Sequence, residues 1–234
     1  MTESYTSQGN LSFKDYLSRT YIVVALGLLI SAVSAFLASI LMPILLYTAP
    51  LFSTILMFGM VIGEFVIAVR FSANLMVMSN KSAWTSYVAY AVLTGASFYT
   101  LFLYYDLGSL ALTFIATIIM FVCMAIIGKT SKRNLMGVYG LLLPAIIAGM
   151  IVTLLNNLIF HSNPVNLFIA YIGMILFLVL TAADVQRLES FYNQSFYDTN
   201  IREKLMIMGA FQLYLDFINL FLRILRFLGR RRDN

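Results

Sequence analysis

Six stretches of this chain are each about as long as a helix must be to cross a bilayer, and they hold one charged residue between them. A helix needs about 20 apolar residues to span the hydrocarbon core. The runs Thr20 to Met42, Leu46 to Val69, Ala83 to Tyr105, Gly108 to Ile127, Leu135 to Phe160 and Pro164 to Ala183 meet that length with Glu64 as their sole charge. A seventh, Leu205 to Leu228, is also apolar but carries Asp216, Arg223 and Arg226. Barrel strands would alternate in polarity over about ten residues, and these runs do not. The expected fold class is an all-α polytopic membrane protein with seven transmembrane helices.

Composition removes the competing classes. Apolar residues make up 61% and charged residues 11%, against roughly 45–50% and about 25% in soluble domains. One cysteine, Cys123, excludes an internal disulfide, and with one histidine, His161, it cannot build a Cys/His zinc site. The net charge of +5 would suit nucleic acid only if the basic residues shared a face. They lie between the apolar runs instead, so no nucleic-acid partner is expected. The first run is too long for a signal-peptide core and follows a polar head, which reads as a retained span. Residues 1–19 form an N-terminal segment, 20–229 one seven-helix domain and 230–234 a basic tail.

The basic residues also orient the spans. Lys14 and Arg19 precede the first; Arg70 and Lys81 bracket the second loop; Lys129, Lys132 and Arg133 fill the fourth; Arg187, Arg202 and Lys204 fill the sixth. The odd-numbered loops carry no Lys or Arg, which places the N-terminus in the cytoplasm. The tail, Arg230 to Arg232, breaks the pattern. Seven crossings put it outside, whereas six crossings and a re-entrant last segment would keep it inside; segment length favours the crossing. The short loops suggest a bacterial plasma membrane, and Tyr21, Tyr47, Trp84, Tyr104, Tyr105 and Tyr171 near span ends read as interfacial anchors.

Charge inside hydrocarbon costs several kcal/mol, so Glu64, Asp184 and Asp216 are the candidate functional groups. At about 100° per residue, Gln212, Asp216, Asn219, Arg223 and Arg226 fall within an arc of about 80° on one face of the last helix. That stripe should face protein or a water-filled cavity, with Asp216 serving either function or helix packing through Arg223. Asp184 sits where the sixth run meets its loop, while Asp216 lies about 16 Å along the helix from Leu205. The two meet only if the sixth helix continues past Asp184 or the last helix starts below the surface. Glu64 follows Gly59-x-x-x-Gly63, a spacing that lets helix backbones approach closely; it reads as a hydrogen-bonded acid at a helix contact or as part of an ion path with Asn219. Pro144 should kink the fifth span, and Asn156 and Asn157 place amides near its end.

The stretch LYLDFINLFLRILRFLG, Leu213 to Gly229, and the stretch YIGMILFLVLTAADV, Tyr171 to Val185, resemble the last two helices of the Bax inhibitor-1 (transmembrane Bax inhibitor motif) family. Weaker similarity runs through GEFVIAV, YAVLTGASFYTLF and KRNLMGVYGLLLPAIIAGMIVTLLNNLIF, so the resemblance covers Gly63 to Gly229. It implies six helices around a central C-terminal one and a pH-sensitive calcium leak controlled by an aspartate pair. By motif position that pair is Asp184 and Asp216. The family's basic latch has Arg70 and Arg223 as candidates here.

Two carboxylates meeting in a low-dielectric site cannot both ionise cheaply and titrate as a unit. Protonation of such a pair is expected to release the sixth and seventh helices from a closed packing. Calcium takes six to eight oxygen ligands when held tightly, more than Asp184, Asp216, Glu64 and Asn219 supply, so weak binding in passage is the expectation. Calcium would then be the permeant ion, the bilayer the other partner, and no cofactor or enzymatic activity is expected. The alternative is a non-conducting interaction protein that regulates a membrane protease or a stress or cell-death factor, since family members are linked with such control. An intramembrane aspartyl hydrolase is a third class, but the sequence does not resemble the Tyr-Asp and Gly-x-Gly-Asp motifs of those enzymes.

Overall fold

The computed structural model describes residues 12–230, apart from the side chains of Leu143 and Asn157; the tail arginines Arg231 and Arg232 lie outside the described residues. Its helices are α1 (Phe13–Thr48), α2 (Pro50–Asn74), α3 (Asn80–Ser97), the short α4 (Tyr99–Tyr104), α5 (Leu107–Thr130), α6 (Tyr139–Leu155), α7 (Asn163–Gln194) and α8 (Thr199–Leu228). A 3₁₀ turn, Leu135–Val138, leads into α6, and a π turn, Asn156–Phe160, follows it. Among the described residues seven helical segments are long and apolar enough to cross a membrane, α3 and α4 together forming the third and α6 with its two flanking turns the fifth.

The helix starts are written in the sequence. Ser12, Ser79, Asp106 and Asp198 accept hydrogen bonds from the first backbone amides of α1, α3, α5 and α8, satisfying donors that have no partner within the helix. Pro50 opens α2, where its missing N–H costs nothing. α1 starts at Phe13, ahead of the apolar run at Thr20. Pro144 is accommodated within the unbroken α6. Asn156, the first residue of the π turn, closes the link to α7: its buried side chain donates to Ser162 O (2.9 Å) and accepts from Ser162 N (3.3 Å).

Apolar side chains on the outer helices point outward. Phe65, Leu51, Leu141 and Phe160 are among many that are more than two-thirds exposed, a surface that water would not tolerate and lipid favours. α8 is the reverse: 61% of its apolar stretch is buried, and no other spanning helix exceeds 33%. It packs on α7, α5, α1 and α3, so the C-terminal helix is the one the others surround. It crosses the whole bundle. Near its start Lys204 Nζ donates to Met76 O (2.9 Å) and Glu203 accepts from Trp84 Nε1 (2.8 Å) at the head of α3; at its end Arg230 N donates to Ser109 Oγ (3.0 Å) at the opposite end of the bundle. The last segment therefore runs from one end of the bundle to the other and is long and apolar enough for a full crossing.

Close helix contact falls elsewhere than the Gly59-x-x-x-Gly63 spacing suggests. Gly59 faces open space, and Gly63 has only the tip of Leu93 nearby. The tight approaches are Gly95 of α3 against the backbone of Ser31 on α1, and Gly128 of α5 against the backbone of Ala182 on α7. α2 packs mainly on α1 and α3 at the periphery, and Gly59 on its outer face has no helix to meet.

Candidate functional site

α7 and α8 run side by side in opposite directions, and Gly209 makes room for Leu188 between them. In this register Asp184 and Asp216 face each other with their carboxyl groups in hydrogen-bonding reach. They are 5% and 2% exposed. The pair lies inside the bundle because α7 continues ten residues past Asp184 to Gln194. Asp184 is thus within a helix, not at a loop boundary, and the depth difference between the acids disappears.

The surroundings of the two acids differ. The Tyr139 hydroxyl, at the start of α6, donates to Asp184 Oδ1. The Arg187 guanidinium, one turn further along α7, acts on Asp184 electrostatically while lying over the Tyr139 ring (5.4 Å) and the Phe191 ring (5.1 Å). Asp216 has Thr181 beside it, but the Thr181 hydroxyl is committed to Phe177 O (2.8 Å). Asp216 Oδ2 is buried and has no hydrogen-bond donor among the described residues. A buried carboxyl oxygen without a donor is costly, and the facing Asp184 carboxyl can relieve it by sharing a proton.

The backbone beyond Asp184 is fixed by Gln186. Its Oε1 accepts from Leu135 N (2.7 Å), and its Nε2 donates to Arg133 O (2.9 Å) and Ser131 O (3.3 Å). The basic loop between α5 and α6 is thereby tied to the same turn of α7 that bears the acid. Rearrangement of α7 at Asp184 would be felt by that loop directly.

The other residues expected at the site lie elsewhere. Arg70 is exposed on α2, next to Phe71, which is buried against Phe211; the inward turn of Phe71 points Arg70 outward, away from the acids. Arg187 is the arginine that acts on Asp184. Arg223 is two helical turns past Asp216, with its guanidinium over Phe177 (5.0 Å). Asn219 donates to Leu215 O on its own helix (2.8 Å) and lines a cleft with Arg223. Glu64 is half-buried at the α2–α3 contact, beside Thr94, Ser97 and Tyr90, and belongs to a polar cluster distinct from the acid pair. In that cluster Ser31 Oγ donates to Ala91 O (2.8 Å) and lies 2.7 Å from the Tyr214 hydroxyl.

Sequence reasoning did not single out Thr181, Arg187 as a neighbour of the acid, or Tyr139. Thr181 and Arg187 stand three residues on either side of Asp184, so helical spacing alone puts them on its face. Tyr139 comes from another helix and has no local signal. Among the described residues no group of three or more His, Cys, Asp or Glu side chains could hold a metal ion; two carboxylates are the acidic ligands this site offers.

Comparison with known proteins gives a consistent picture. The family model described as "Inhibitor of apoptosis-promoting Bax1" matches residues 13–233. The inner membrane protein YbhL of Escherichia coli (strain K12) is 35% identical over 228 residues, covering 96% of this chain and 95% of the relative. A protein of Borreliella burgdorferi is 34% identical over 220 residues, covering 94% and 93%, and one of Deinococcus radiodurans is 32% identical over 224 residues, covering 94% and 92%.

Proposed function

This chain belongs to the Bax inhibitor-1 family, and from that membership and the buried acids we propose that it is a pH-sensitive calcium leak channel, gated by Asp184 and Asp216. The observation that carries the reading is the meeting of two carboxyls from adjacent helices in a membrane interior, one of them with an oxygen that has no donor among the described residues. Acids in that setting are functional candidates by default.

In the closed packing one proton lies between the carboxyls. Asp216 donates it to Asp184, whose remaining charge is held by the Tyr139 hydroxyl and the Arg187 guanidinium. Uptake of a second proton removes the charge that these two groups hold, and with it the charge assistance of the bond that joins the acids. The polar tie between α7 and α8 at mid-bundle is weakened, and the path between them opens. Calcium passing there meets two carboxyl groups, too few oxygens to retain an ion that takes six to eight. The protein sits in the plasma membrane with its N-terminus cytoplasmic, in keeping with the charge bias of its loops and the inner-membrane description of YbhL.

The test is calcium flux into vesicles holding the purified protein, scanned from mildly acidic to mildly alkaline pH, for wild type, Asp184→Asn and Asp216→Asn. Each variant should flatten the pH dependence, because an amide carries no titrating proton. Wild-type pH dependence in a folded double variant would remove the pair as the gate. Absent flux together with a stoichiometric membrane-protein partner would replace the channel by an interaction protein.

A further inference from the structure

Two helical turns past the acid pair, α8 carries arginines that no acid balances among the described residues. Arg223 and Arg226 line one cleft of about 490 Å³ between α6 and α8, together with Asn219, Thr153 and the apolar Met150, Ile151 and Leu154. The charge that acts on the Arg223 guanidinium is that of Arg226, also a cation. Among the described residues neither has a carboxylate partner, and Arg223 Nε is buried without an acceptor.

The Arg223 head group is nevertheless held in place. It lies over the Phe177 ring (5.0 Å), and it fills the space above Gly173, where any Cβ would collide with the guanidinium. A seated arginine with an unmet donor, a second arginine beside it and an amide in the same cleft make a site for an anion. Guanidinium pairs suit the tetrahedral oxygens of phosphate in particular, with several N–H donors in fixed geometry.

The walls and the position say what carries the phosphate. Met150, Ile151 and Leu154 are 63%, 53% and 59% exposed on the outer face of α6, and Arg226 is two residues from the end of α8. The cleft is therefore polar on one side, open to hydrocarbon on the other, and at the depth of a span end, where headgroups lie. We propose that the α6–α8 cleft binds the phosphate of an anionic membrane phospholipid through Arg223 and Arg226, with the acyl chains along α6. Occupation would neutralise the cationic end of α8's polar stripe without contact to Asp184 or Asp216.

Thermal unfolding of the full chain in detergent, titrated with short-chain phosphatidylglycerol, tests this. Diacylglycerol of the same chain length and inorganic phosphate serve as parallel titrants. Phosphatidylglycerol should raise the unfolding temperature saturably, and the other two should not. Arg226→Gln, at an exposed position, should weaken the lipid response about tenfold, the effect of one charge-assisted contact. Gly173→Ala keeps both charges but displaces the flexible Arg223 head group, and should weaken the response comparably. Equal stabilisation by diacylglycerol, or an undiminished response in both variants, would refute the phosphate site. An equal response to inorganic phosphate would overturn the lipid assignment.

Discussion

Replacing Gly95 by alanine should destabilise the bundle by about 2–4 kcal/mol. A methyl group there collides with the backbone of Ser31 on α1, which no side-chain rotation can relieve. Forcing atoms into a packed contact costs about 1–3 kcal/mol. Ser31 also makes short hydrogen bonds to Ala91 O (2.8 Å) and the Tyr214 hydroxyl (2.7 Å). A retreat of α1 by about 1 Å takes both beyond bonding range, a further loss of about 1 kcal/mol each. The better helix propensity of alanine offsets about 1 kcal/mol. Gly59→Ala is the matched control, because open space surrounds that position, and it should be unchanged or slightly more stable. Equilibrium unfolding in detergent micelles reads both variants through the fluorescence of Trp84, the one tryptophan of the chain, which is anchored to Glu203 of α8. A wild-type midpoint for Gly95→Ala, or equal loss in both variants, would refute the assignment of the tight contact to α1 and α3.

Tyr139→Phe removes the hydroxyl that serves Asp184 and should cost about 1.5–3 kcal/mol, the range for a hydrogen bond to a charged group. A double-mutant cycle with Asp184→Asn checks it, and strictly additive losses would show that the two do not interact. At the α5 start, the Ser109 hydroxyl (2.7 Å) and amide (2.9 Å) donate to Asp106 and hold its carboxyl below the usual carboxylate range. Because the folded-state value is the lower one, this stabilisation is present above the ordinary carboxylate range and is lost as pH falls through the folded value. Asp106→Ala should flatten the acid-side decline of the unfolding temperature, and an unchanged acid limb would contradict the capping account.

The seven spans and the membrane class were legible in the chain because hydrocarbon demands a long apolar helix with its backbone bonds satisfied internally, a constraint each segment meets alone. The polar stripe on the last helix was legible for the same reason: Asp216, Asn219 and Arg223 share a face by helical geometry, whatever surrounds them. The helix starts at Ser12, Ser79, Asp106 and Asp198 are local too, set by side chains that bond their own backbone, but the apolar runs did not mark them.

Tertiary structure decided what those faces meet. The extension of α7 to Gln194 moved Asp184 from a span boundary into the interior, and the packing of Gly209 on Leu188 set the register that brings Asp216 opposite it. Tyr139 reaches Asp184 from α6. Arg70, close by in the expected scheme, is turned out by the burial of Phe71. The choice between Gly59 and Gly95 as the site of close approach is of the same kind. Each glycine permits contact equally well within its own helix, and only the position of the neighbouring helix determines which one is used.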